Sequence, residues 1–195
     1  MSEVHEAAAP VTSYAYKASL IGSAHRFELT DAGLSWHIGG RSGLWRYGEI
    51  SAVRLTYRPV WMQQHRFRAD IGRAEGGRIA ILSTSWQTAA LMAPQDNGYR
   101  AFIVELHRRM ARADSRAVLS AGLGRPTYMA ALALLACLAV AMTGLLIRAL
   151  ATGEFTGALF VIGFAVLFTW QVGGFIRRNR PRTYGFDRLP EKLLP

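Results

Sequence analysis

Two stretches of this chain, 127–147 and 155–176, carry no charged residue, and 33 of their 43 side chains are apolar. At 1.5 Å per residue each makes a helix of about 31–33 Å, against a bilayer core about 30 Å thick. Neither run lies at the N-terminus, so neither reads as a cleaved signal peptide. Neither shows a polar stripe, and a soluble protein that hid two all-round apolar helices would be far larger. The sequence therefore predicts a transmembrane hairpin: one span over 127–147, a short outer loop over 148–154 and a second span over 155–176.

The charge has to be read against that hairpin. A net charge of +10 would by itself suggest nucleic acid or an anionic membrane surface. Nine of the basic residues, however, flank the spans: Arg108, Arg109, Arg112, Arg116 and Arg125 before the first, and Arg177, Arg178, Arg180 and Arg182 after the second. By the positive-inside rule both chain ends face the cytoplasm and the 148–154 loop faces out. These juxtamembrane arginines also suit anionic headgroups, at about 1 kcal/mol each near the surface. Lys17 and Lys192 are the only lysines among 23 basic residues, an arginine bias expected of a GC-rich bacterial genome, which makes the membrane a bacterial inner membrane. Within the spans the strongest polar group is Gln171, near one end, so a channel or pump is not expected. Small residues recur at spacing four: Ala133, Cys137 and Ala141 in the first span, Ala165, Thr169 and Gly173 in the second. Such rows let helices approach closely. The first expectation is contact within the hairpin, the second docking to a partner or a second copy.

Outside the hairpin the period changes. Residues 1–12 read as a loose tail. Phe27 and Leu29 alternate with Arg26 and Glu28; after a turn at Asp31–Gly33, Leu34, Trp36 and Ile38 alternate again. Gly39–Gly43 makes the next turn, followed by an apolar stretch over Leu44–Tyr47. Val53, Leu55 and Tyr57 share one face of a strand whose other face is Arg54, Thr56 and Arg58. Phe67, Ala69 and Ile71 alternate likewise with Arg66, Arg68 and Asp70, and a turn at Glu75–Gly77 leads to a strand over Arg78–Ser83. Short alternating strands with frequent Gly turns predict a meandering barrel or sandwich. Tyr99, Phe102, Ile103, Leu106 and Met110 then recur at three and four, predicting an amphipathic helix capped by Asp96 or Asn97.

The segment Phe27–Tyr57, FELTDAGLSWHIGGRSGLWRYGEISAVRLTY, with Trp45, Tyr47, Glu49 and Ile50 leading into the next strand, resembles the pleckstrin-homology-like (PH-like) domains attached to membrane helices in many bacterial proteins. The resemblance covers about Tyr14–Ala117. It implies a mainly β plus α fold: a seven-stranded, two-sheet partial barrel or sandwich closed by a C-terminal amphipathic helix over Tyr99–Ala113, followed by the hairpin. The organisation expected is a tail over 1–12, a cytoplasmic PH-like domain over 13–118, a linker over 119–126, the hairpin, and a cytoplasmic tail over 177–195. The family implies a fold rather than a chemistry. Eukaryotic domains of this fold often bind phosphoinositides through basic residues on their first two strands. Lys17 and Arg26 occupy that region, but Glu28 stands where a further cation belongs, so they read as solvated strand residues.

The loop from Arg58 to Arg68 is the most informative. It brings Trp61 and Met62 to a hairpin tip, with Arg54, Arg58, Arg66 and Arg68 on the adjoining sheet face. Trp and Arg are enriched at interface hot spots, and a Trp among arginines also suits a headgroup layer; the plainer alternative has Trp61 over the barrel end and the arginines merely solvated. His5, His25, His37, His65 and His107 show no metal-ligand spacing, and Glu105 and His107, two apart on a helix, face different sides. No nucleophile elbow, phosphate loop, recognition helix or aromatic RNA-binding stack is present. The expectations are thus no catalytic residue, no cofactor, no metal and no nucleic acid. The tail after Arg182 holds Tyr184, Phe186, Leu189, Leu193 and Leu194, too apolar to be only solvated. It either packs back on the domain or serves as an extended ligand. The first functional expectation is a non-enzymatic membrane protein whose domain binds a protein partner, as an accessory or assembly subunit. The second is a module for anionic lipid surfaces acting through the Arg/Trp patch.

Overall fold

The alternating segments pair as strands because each presents an apolar row to a common core. The computed structural model describes residues 12–61, 64–88 and 91–195. β1 (Ser13–Tyr16), β2 (His25–Leu29), β3 (Leu34–Ile38) and β4 (Arg41–Trp45) form an antiparallel four-stranded meander. A single 3-10 turn at Tyr47–Glu49 leads into β5 (Ile50–Trp61), β6 (Gln64–Arg73) and β7 (Arg78–Leu82). These belong to a five-stranded sheet of order β11-β10-β5-β6-β7, completed by β10 (Val118–Ala121) and β11 (Arg182–Thr183). β8 (Thr84–Thr88) and β9 (Leu91–Pro94) make a separate two-stranded hairpin. Helix α1 spans Asp96–Arg112, and two long apolar helices follow, α2 (Arg125–Ala151) and α3 (Phe155–Arg178). The fold is β plus α, with more strands than the seven expected.

The core is built from both periods. Tyr14, Tyr16, Phe27, Leu29 and Leu34 from the first sheet and Val53, Leu55, Ala69, Ile71 and Ile81 from the second are buried. The α1 stripe Tyr99, Phe102, Ile103, Leu106 and Met110 is fully shielded, each at 0% exposure. At about 1.5–3 kcal/mol per fully buried large apolar side chain, this stripe is a principal tie between helix and sheets. Phe102 meets Tyr14 and Phe27, with ring centroids 5.7 and 6.5 Å apart. The sheets are also joined without a backbone ladder: the Tyr14 and Tyr16 hydroxyls donate to the Leu82 and Ala80 carbonyls at 2.6 and 2.7 Å, on the free edge of β7. Burial pushes the Tyr16 phenol up to about 12 and Tyr14 higher still, so both stay protonated as donors.

Helix α1 begins earlier than its apolar stripe implies. Asp96 is its first residue rather than its cap; Gln95 is the cap and makes no side-chain capping bond. A carboxylate in the first turn still complements the helix dipole.

The chain forms two units: residues up to Ser120 together with Thr183–Pro195, and Ala121–Arg182. The C-terminal tail therefore belongs to the β-rich unit. Tyr184 N–H donates to the Leu119 carbonyl at 3.2 Å, and its hydroxyl lies 3.0 Å from His107 Nε2 on α1. Phe186 stacks edge-on against His107, Leu193 and Leu194 are buried at 0% and 5% exposure, and Arg100 donates to the Pro195 carbonyl. Of the two readings of the tail, packing on its own domain is the one observed.

In the second unit α2 and α3 are long and apolar enough to cross a membrane. Along α2 the less exposed residues are Ala131, Leu135, Leu138, Met142 and Leu146; along α3 they are Ala158, Val161, Ala165, Phe168, Val172 and Ile176. Leu138, Met142 and Leu146 line an apolar groove of about 290 Å³ together with Val161, Ala165 and Phe168. The small-residue row of α2 does not form this contact. Ala133, Cys137 and Ala141 are all exposed, about half a helical turn from the Leu138–Met142 stripe, and Thr169 is exposed as well. From the α3 row, Ala165 and Thr169 line the groove and Gly173 is partly covered. The reason is volume: Leu, Met and Phe side chains fill the space between the two axes, which leaves the small row of α2 outward. At the base of the hairpin, Leu123 N–H donates to the Asn179 carbonyl at 2.9 Å. Gly122 there has φ +84°, and a Cβ would stand 2.4 Å from that same carbonyl oxygen, so only glycine fits.

Candidate functional site

The arginines singled out on the sequence lie on the outward face of β5 and β6, as strand alternation requires. Register pairs Arg54 with Asp70, Thr56 with Arg68 and Arg58 with Arg66. The structure divides this row. Arg68 is neutralised: its guanidinium makes paired contacts to the Asp70 carboxylate at 2.9 and 3.0 Å, and that bond raises it above its ordinary value despite burial. Arg54 donates from Nε to Ser120 Oγ on β10 at 3.3 Å. Arg66, half-buried, donates from Nε to Thr84 Oγ1 at 3.0 Å and from Nη2 to Met92 Sδ at 2.8 Å. Both partners are neutral. Burial lowers Arg66 from its ordinary value, with Arg58 and Arg68 pushing the same way and Tyr16 opposing. Arg58 is exposed, with no hydrogen bond or ion pair among the described residues. Trp61 ends β5 opposite Gln64, after a register shift at Pro59, and Met62 lies outside the described residues.

A second feature was not singled out on the sequence. The loop between β1 and β2 presents Leu20 and Ile21 to solvent at 46% and 91% exposure. Its signal was legible: two adjacent branched apolar residues within the run Ala18–Ala24 break the period of two and serve no core face. The register places this loop and the Gly39–Gly40 turn, followed by Arg41, at the same end of the first sheet. β8 ties that end to the arginine ladder. Trp86 N–H donates to the Lys17 carbonyl at 3.1 Å and Lys17 N–H to Ser85 Oγ at 3.0 Å, while Thr84, on the same strand, takes Arg66. The described residues 17–25, 38–42, 58–61, 64–66 and 84–88 of this end contain Lys17, Arg41, Arg58 and Arg66 and no carboxylate. The opposite turns hold Asp31, Glu49 and Glu75 beside Arg46, Arg73 and Arg109, a mixed surface.

The remaining candidates fall elsewhere. Arg108 and Arg109, expected beside the membrane, are in α1 and clamp Glu105 at 2.6 and 2.9 Å. Burial would raise the Glu105 carboxyl, but the two guanidiniums overcome it and hold it below the usual range. Arg112 ends α1 and Arg116 precedes β10, both exposed; Arg125 opens α2, and Arg177, Arg178, Arg180 and Arg182 are exposed at or just after the end of α3. Strand β10 thus separates the α1 arginines from the spans. Lys17 and Arg26 are not brought together as a pocket: Arg26 faces outward on β2 beside Glu28, over an open depression of about 690 Å³ bordered by Ser13, Ala15, Ser35 and His37.

His107 is committed to structure. Nδ1–H donates to the Ile103 carbonyl at 2.7 Å and Nε2 accepts from the Tyr184 hydroxyl, the tautomer these two partners require. Burial holds it below the ordinary histidine value, hence neutral. Among the described residues no three His, Cys, Asp or Glu side chains are grouped as metal ligands. No family model, curated protein or solved structure matches this chain.

Proposed function

We propose that this chain is a non-enzymatic inner-membrane protein whose cytoplasmic β-rich domain, PH-like in arrangement, docks on an anionic bilayer surface while its helical hairpin spans that membrane with both chain ends in the cytoplasm. The observation that carries the reading is the co-location of Leu20 and Ile21 with Lys17, Arg41, Arg58 and Arg66 at an end that has no carboxylate among its described residues. Exposed apolar residues beside cations are what a headgroup layer accommodates: the side chains reach the acyl boundary while each basic residue contributes about 1 kcal/mol. The two spans keep the domain at a membrane permanently, so weak docking suffices by effective concentration.

The test places an environment-sensitive fluorophore at Ile21→Cys, in a Cys137→Ala background, in the full chain reconstituted into nanodiscs. Emission is expected to shift to the blue in anionic lipid relative to zwitterionic lipid, and the shift to collapse at high salt. An identical spectrum in both lipids refutes the reading. A second reading, a protein partner of the accessory-subunit kind, draws on the open face of β1–β3 with its small residues Ser13, Ala15 and Ser35. It predicts a co-purifying protein whose retention survives high salt.

A further inference from the structure

The pairing of Arg58 with Arg66 is unlike the other rungs of its ladder. Directly opposed side chains on one face of an antiparallel pair have Cβ atoms about 4.5–5.5 Å apart, and like charges so placed are destabilising. The rungs that precede it on the same face show how this sheet ordinarily manages charge: Arg68 has Asp70, Arg54 has Ser120, and Arg54 itself stands opposite Asp70. The Arg58–Arg66 rung has two cations and no anion. Arg66 is nevertheless held in place by Thr84 and Met92, a neutral pair that orients the guanidinium without cancelling its charge. A fixed, partly desolvated guanidinium beside a free one has the form of a binding site for a compact dianion rather than of a solvated surface.

We infer that Arg58 and Arg66 form a cross-strand clamp for a phosphate dianion, a phosphomonoester group or free phosphate, seated over the β5–β6 ladder. A phosphomonoester carries about −1.5 to −2 charges at neutral pH, matching the two guanidiniums, whereas a phosphodiester headgroup carries one. Arg66 supplies the pre-oriented half and Arg58 closes on the ligand from the exposed side. The inference rests on the anionic-surface reading above and deepens it: general docking requires only negative charge, whereas the clamp requires two charges on one phosphorus.

The experiment uses the full chain in neutral detergent. Titrations by calorimetry employ inorganic phosphate, a short-chain phosphatidic acid and a short-chain phosphatidylglycerol. The clamp predicts that phosphatidic acid binds about tenfold or more tightly than phosphatidylglycerol, and that Arg58→Gln abolishes this preference. Arg54→Gln, which removes an equal charge two rungs away, leaves it intact. Arg58 is exposed and makes no hydrogen bond or ion pair among the described residues, so its variant is expected to keep the fold, checked by circular dichroism. Competition by inorganic phosphate supports a clamp that takes the free ion as well; binding of phosphatidic acid without competition supports a lipid ligand. Equal binding of both lipids, unchanged by Arg58→Gln, overturns the clamp and spares the docking reading. No binding of either lipid, together with an unshifted Ile21 probe, overturns both.

Discussion

The tail that returns from the hairpin is the part of the structure most open to a quantitative challenge. Leu193 is at 0% exposure and Leu194 at 5%, though both belong to a segment with almost no regular structure. Truncating a buried leucine to alanine removes its transfer free energy and leaves a cavity, together about 2–5 kcal/mol. Domains of this size have about 5–15 kcal/mol in all, so Leu193→Ala should remove a large fraction of the stability of the β-rich unit. Urea unfolding of the full chain in detergent, followed by near-ultraviolet circular dichroism, should show a lowered midpoint at unchanged slope. Trp36, Trp45 and Trp86 lie in that unit, so its aromatic signal reports the transition. Truncation at Thr183 should cost more, since it also removes Tyr184, Phe186 and Leu194. A Leu193→Ala midpoint within about 0.5 kcal/mol of the parent would refute the packing and return the tail to the role of a ligand for another protein.

Other consequences are independent of the tail's leucines. Tyr184→Phe leaves His107 Nε2 buried without its donor and should destabilise the same unit by about 1–3 kcal/mol in the same assay. Folded His107 binds its proton more weakly than an unfolded imidazole, so its contribution is fully present above about pH 6.5 and is lost as pH falls through the lower folded value; a stability–pH curve for His107→Gln should be flatter over that window. Gly122→Ala forces a side chain against the Asn179 carbonyl in left-handed backbone, worth at least about 1–2 kcal/mol, and should lower the thermal midpoint of the helical signal in detergent. In that measurement Ala165→Leu should disturb the hairpin and Ala133→Leu should not, since only the first faces the opposing helix.

What was legible in the sequence followed periodicity, and what was missed had none. The two apolar runs, the α1 stripe and the long alternations of β5 and β6 each repeat often enough to define a face. β8 and β9 were invisible because Ser83–Pro94 mixes Trp86, Leu91 and Met92 with Ser, Thr and Gln at no fixed period, and their pairing includes a register shift at Trp86. β10 was taken for a linker: four residues, Val118–Ala121, carry two alternations and no more. The small-residue row of α2 failed for a different reason. Spacing alone says that a face is smooth, not that the neighbouring helix uses it, and the larger Leu, Met and Phe side chains took that contact. The arginine patch was located on the sequence, but its division was not, because Ser120, Thr84 and Met92 are distant in the chain and meet the ladder only through β8, β9 and β10.

The placement of residues 183–195 also constrains the order of events during synthesis. The β-rich unit is discontinuous in sequence, interrupted by residues 121–182. Its core includes Leu193, and α1 keeps His107 buried against Tyr184, contacts 77 residues apart along the chain. Such contacts carry the entropic cost of closing the intervening chain. The domain emerges from the ribosome before the apolar helices, but it lacks its last core residues until both helices have been made. Both helices are therefore synthesised before the domain can be completed. A chain stopped within α3 would leave α1 with exposed apolar surface where Tyr184 and Phe186 belong, and the finished fold depends on the hairpin having been fully synthesised.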